Sequence, residues 1–190
     1  MHGIFGWRNF GILWLGGLGI LALLLSIGDE LFTQAAPRGI LDHQSAGTAA
    51  RVDEIQESWA AIGKLQFAKY VITADLVFIF SYSLGGIIGG WLIWKEASSP
   101  LLKKLGALAL AAYMSFGLLD AIETLSQFGQ IISEQGINTL AALAAFVQPP
   151  KFVAFAVGFV AMVSALCWRM LENRRQSALS ESAGEQSSMT

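Results

Sequence analysis

Residues 71–94 read VITADLVFIFSYSLGGIIGGWLIW. At 1.5 Å per residue, a helix of this length crosses the roughly 30 Å hydrocarbon core of a bilayer. The stretch carries one charge, Asp75. Three other stretches share its character: 10–27 with no charge, 105–128 with Asp120 and Glu123, and 152–168 with none. A bilayer offers no water to bare backbone groups, so each stretch reads as a helix. Apolar runs stand where a closed barrel would need period-two alternation, which excludes a barrel. The sequence therefore predicts an all-α, integral membrane four-helix bundle.

Composition agrees. Hydrophobic residues make up 54% of the 190 and charged residues 14%, against about 25% charged in soluble domains. Such a chain cannot coat itself for water, and its first partner is the lipid bilayer. The length suits one transmembrane domain over 1–175, with an external loop at about 28–70. A serine-rich stretch, 176–190, reads as a disordered cytoplasmic tail. The formal net charge of −2 argues against a nucleic-acid partner, which needs a basic face. Cys167 is the one cysteine, so no internal disulfide forms. His2 and His43 lie far apart and no zinc-type spacing occurs. Neither a metal nor a cofactor is expected.

Orientation follows the basic residues. Arg8, Lys95, Lys103, Lys104, Arg169, Arg174 and Arg175 fall on one side of a four-span chain. That side reads as the cytoplasm of a bacterial inner (plasma) membrane, with both termini there. Trp7, Trp91, Trp94 and Trp168 lie near the same boundary, as an aromatic belt would. The third connection, 129–150, has no lysine or arginine, as expected outside. The first connection carries Arg38, Arg51, Lys64 and Lys69, but long loops obey the rule weakly. The alternative is a cleaved signal peptide, with Thr33-Gln34-Ala35 as the cleavage site. It suits the sequence less well, because the apolar run is long and its basic start is slight.

Within the external loop, Val52, Ile55, Trp59 and Ile62 recur at helical spacing among charged residues. This predicts an amphipathic helix over about 48–68, a lid on the bundle or, alternatively, a gate or a docking face. Pro149-Pro150 reads as the start of the fourth helix. The apolar stretch 138–147 before it reads as a short interfacial helix. Gly85, Gly86, Gly89 and Gly90, with Gly16, Gly17 and Gly19, suit close packing of the first two spans, or a dimer face.

The buried carboxylates carry the functional question. A charge in hydrocarbon costs about 2.5–3.5 kcal/mol on insertion scales. By helical rise, Asp75, Asp120 and Glu123 lie about 7, 12 and 8 Å from the outer boundary. Asp120 and Glu123, three apart, share a face. Tyr82 follows Asp75 by seven residues and Tyr113 precedes Asp120 by seven, each about 10 Å deeper on the same face. Asp75, Tyr82, Tyr113, Asp120 and Glu123 thus form a candidate outward-facing pocket. Thr73, Ser81, Ser115 and Thr124 are neighbouring hydrogen-bond partners, and Asp29 and Glu30 stand at the rim. The plainer reading pairs the carboxylates with Lys69 and Lys151 as structural counter-ions.

At two motifs, Ala74-Asp75-Leu76-Val77-Phe78-Ile79-Phe80-Ser81-Tyr82 and Leu119-Asp120-Ala121-Ile122-Glu123-Thr124-Leu125, the chain resembles a loose group of bacterial multi-span proteins. The group tends to have asparagine where this chain has Thr124. The likeness covers spans two and three and implies a shared carboxylate–tyrosine core, with no activity attached. Three functions are open. One is a binding or transport-type module for a small cationic or amphipathic ligand or a proton. Another is an intramembrane acid/base enzyme. The last is an accessory subunit with a membrane-protein partner or a second copy of itself.

Overall fold

The computed structural model describes the backbone of residues 6–188 and side chains as far as residue 175. Six α-helices follow in order: α1 (Trp7–Ile27), α2 (Ile40–Gln44), α3 (Ala49–Ala61), α4 (Leu65–Lys95), α5 (Pro100–Ser133) and α6 (Asn138–Ser188). A 3₁₀ turn, Gly28–Leu31, closes α1. Among the described residues, four helices are long and apolar enough to cross a membrane: α1 with its closing turn, α4, α5 and α6 as far as Arg175. The predicted spans lie inside them. The protein is an all-α four-helix bundle with a small helical cap of α2 and α3.

The bundle is laid out as a row. α1 packs on α4, α4 on α5, and α5 on α6. Lipid supplies no hydrophobic drive between helices, so contact depends on close fit. Glycine provides it. A methyl group on Gly17 would lie 2.8 Å from the Tyr82 backbone, and one on Gly85 would lie 2.5 Å from the Trp14 nitrogen. Here α1 and α4 touch backbone to backbone, as the glycine pattern predicts. Gly90 and Gly106 do the same for α4 and α5, while Gly86 and Gly89 make room for the rings of Tyr113 and Phe10. Gly16 and Gly19 meet nothing and take no part in this packing.

The cap departs from the single helix expected over 48–68. Thr48 starts α3 by accepting from the Arg51 N–H. Gly63, at φ +72°, ends it. The Lys64 N–H reaches the Trp59 carbonyl at 2.7 Å and the Gly63 N–H reaches Ala60 at 2.9 Å, a Schellman closure that a side chain would strain. Val52, Ile55 and Trp59 are fully buried, whereas Ile62 is exposed. Trp59 donates to the Leu31 carbonyl at 2.8 Å. Asp53 accepts from the Gly136 N–H at 2.5 Å and Asn138 from the Ala49 N–H at 2.8 Å. These bonds tie α3 to the α5–α6 connection.

Two further expectations change. The stretch 138–147 is not a separate interfacial helix but the first turns of α6, and Pro149 and Pro150 lie inside that helix. Proline leaves the carbonyls four residues back without their helical donors. Membrane helices tolerate this because neighbouring groups compensate. The second change is at the far end. α6 continues to Ser188 where a disordered tail was expected from residue 176. Residues 176–188 contain no proline and include alanine, leucine, glutamate and glutamine, all compatible with a helix.

Candidate functional site

The polar side chains of the bundle fall into two layers. The deeper one is closed. Trp14 donates from its indole Nε1 to the Tyr113 hydroxyl at 2.7 Å, and that hydroxyl donates to Tyr82 at 3.2 Å. Both tyrosines are fully buried. They are brought together because Tyr82 on α4 faces Tyr113 on α5, and Gly86 leaves room for the Tyr113 ring. Phe78, Phe116 and Phe155 pack on Tyr82, with ring centres 5.2–5.5 Å away.

The second layer lies between that aromatic floor and the cap. Lys151, on α6, reaches Asp120 Oδ1 at 3.0 Å and Glu123 Oε2 at 2.6 Å. All three are buried. The i,i+3 spacing on α5 lets one ammonium serve both carboxylates. Gln127, one turn further, approaches Glu123 at 3.5 Å. Asp75, on α4, is half-buried. It accepts from the Thr124 hydroxyl at 2.9 Å. No cation among the described residues lies within ion-pair distance of Asp75. Three carboxylates thus stand beside one ammonium, which pairs with two of them.

A cavity of about 400 Å³ opens on this second layer, within the usual range of small-molecule sites. Asp75, Asp120, Gln127 and Lys151 form its polar wall, with Asp29 at the rim and Gln44 of the cap. Leucines of α1 and the phenylalanines Phe78, Phe116, Phe152 and Phe155 give it an apolar wall, and Ile40 and Leu41 of the cap close over it. Arg38 of the cap lines it too, while paired with Asp42 at 2.6 Å. Among the described residues, no group of three or more His, Cys, Asp or Glu side chains is placed to hold a metal ion.

The five residues expected to form one pocket are therefore divided. Asp75 and Asp120 line the cavity. Glu123 sits behind them on Lys151, and Tyr82 and Tyr113 lie below the phenylalanine floor in their own hydrogen-bonded chain. Of the suggested counter-ions, Lys151 takes that role, while Lys69 pairs with Glu134 at 2.7 Å. Thr124 meets Asp75, but Thr73 bonds the Lys69 carbonyl of its own helix.

Sequence reasoning missed Trp14 and the stripe Gln127–Gln130 on the cap side of Glu123. The stripe was visible: Asp120, Glu123, Gln127 and Gln130 fall at i, i+3, i+7 and i+10 on an apolar helix. His43 was set aside for lack of a partner. In the cap it is buried, stacks on Trp59 at 5.5 Å and accepts at Nε2 from the Gln56 amide at 3.2 Å. Burial pushes its imidazole down to about 4, with Gln127 acting in the opposite sense. No protein-family model, curated protein or solved structure matches this chain.

Proposed function

We propose that the protein is a membrane-embedded binding module for a small ligand bearing a positive charge, with Asp75 as the receiving carboxylate. One observation carries this reading. Asp75 faces a cavity and holds only a neutral hydroxyl, while the neighbouring ammonium is engaged by Asp120 and Glu123. A carboxylate in an apolar setting is costly unless a cation or proton joins it. A ligand ammonium on Asp75 would supply that charge.

The orientation belongs to the same proposal. The cap lies outside a bacterial plasma membrane and both chain ends lie in the cytoplasm. The basic residues of the end opposite the cap support it. There Arg169 pairs with Glu96 at 2.9 Å and stacks over Trp7 at 4.3 Å, and Lys95 lies over Trp91 at 4.7 Å.

The test is equilibrium binding of phenethylammonium to the protein in lipid nanodiscs. Saturable binding is expected, weakened at least about tenfold by Asp75→Asn, since a hydrogen-bonded ion pair contributes about 1.5–3 kcal/mol. Equal affinity in the variant, or a preference for the anion phenylpropionate, contradicts the reading.

A further inference from the structure

The row-like packing of the bundle has a consequence for the cavity. α1 is held by α4 and has no extensive contact with α6. At the tyrosine layer the two outer helices meet through Trp14 and Phe159, whose rings stack at 6.0 Å. Towards the cap, the cavity lies between them: Leu21, Leu24 and Leu25 line it from α1, and Lys151, Phe152 and Phe155 from α6. Between α1 and α6 the exposed rim is apolar, whereas exposed Asp29 and Arg38 line the side nearer the cap. Leu25 is 69% exposed and Phe152 is 48% exposed, and both belong to helices long and apolar enough to cross a membrane. A mouth framed by exposed leucine and phenylalanine in a spanning segment faces hydrocarbon rather than water. The cap is tied over the bundle, with Gln148 of α6 donating to Gln44 of α2 at 3.3 Å.

We infer that the ligand is a single-chain amphiphile with an ammonium head, taken sideways from the bilayer through the seam between α1 and α6. This rests on the reading of Asp75 as the receiving carboxylate. The head lies against Asp75 on the polar wall. The chain lies along the leucines of α1 and leaves between Leu25 and Phe152. The volume of about 400 Å³ is near the lower end of the roughly 300–1,000 Å³ of small-molecule sites. It admits one chain and a compact head rather than a whole two-chain lipid. The amphiphile reaches the site either as a resident of the bilayer or as a free amine from water, and the two routes leave different marks.

The experiment compares butylammonium with dodecylammonium on the protein in nanodiscs, together with a dodecylammonium bearing a photoreactive diazirine at its chain end. The longer chain is expected to lower the half-saturating aqueous concentration at least about 100-fold, since each buried CH₂ adds to the transfer free energy. Asp75→Asn should raise the half-saturating concentration of both amines at least about tenfold. Photolabelling is expected on the peptides containing Leu25 and Phe152, and Leu25→Trp, which fills the mouth, should reduce it. Labelling on Arg38 and Leu41 beneath the cap, or equal half-saturation by the two amines, overturns the lateral route and leaves a site filled from water. Failure of both amines to bind saturably overturns the Asp75 site itself, and the lateral route with it.

Discussion

The tyrosine layer and the carboxylate layer share α4 and α5, about two turns apart, yet one is sealed and the other opens on a cavity. The difference lies in α1. Beside the tyrosines, Gly17 and Gly85 bring α1 into backbone contact with α4, and Trp14 completes the hydrogen-bond chain. Towards the cap, α1 presents leucines to a cavity instead. A buried hydroxyl needs only a neutral donor or acceptor, which a neighbouring indole can provide. A buried carboxylate needs a cation. Three carboxylates with one lysine between them leave a charge for something else.

The largest effect should come from removing that lysine. Lys151→Met leaves Asp120 and Glu123 buried without a cation, and about 3–5 kcal/mol of stability should be lost. Adding Asp120→Asn and Glu123→Gln to Lys151→Met should restore most of it. Thermal unfolding in detergent reads both, and a single variant as stable as wild type would remove the ionic account of this layer.

Next in size is the cap over the carboxylate layer. His43 ordinarily titrates at 6.5 and is held down to about 4 by burial, so the unfolded chain binds its proton more readily than the folded one. The contribution of His43 is complete above pH 6.5 and is lost as the pH falls towards about 4, at up to about 1.4 kcal/mol per pH unit. Unfolding temperatures across that window should fall more steeply for wild type than for His43→Gln. Parallel profiles would mean that His43 does not govern the acid response of the cap.

The tyrosine layer should respond less. Tyr113→Phe strips the acceptor from the Trp14 indole and should cost about 1–3 kcal/mol, because the indole and both tyrosines are buried. Unfolding measurements on Tyr113→Phe beside Tyr82→Phe sharpen the point. Tyr82 is only the last acceptor in the chain, so its loss should cost less. The reverse order would mean that the chain runs the other way.

The fold was largely legible because apolar length and charge count answer to the bilayer, not to tertiary detail. The buried face of α3 was legible for the same reason, since Val52, Ile55 and Trp59 repeat at helical spacing. The site was legible in part. Residues on one helix declare their shared face, so Asp120 with Glu123, and Asp75 above Tyr82, could be grouped. What crosses between helices could not. Trp14 looks like any lipid-facing aromatic until α4 is laid against it. Lys151 reads as a counter-ion, but Pro149-Pro150, which imitates a helix start, puts it at the outer rim. The helix begins three turns earlier, at Asn138, and this takes Lys151 from the rim into the core. Gly63, alone among polar and apolar neighbours, gives little warning that it breaks α3 from α4.

The division of labour among the carboxylates is tested most directly by comparing the stability of Asp75→Asn with that of Glu123→Gln, by thermal unfolding in detergent without added ligand. Glu123→Gln should be destabilised, because it takes a carboxylate from Lys151. Asp75→Asn should be as stable as wild type or more so, because a cost to the empty fold has been removed. Equal destabilisation of the two variants would contradict the account and make Asp75 one more structural counter-charge.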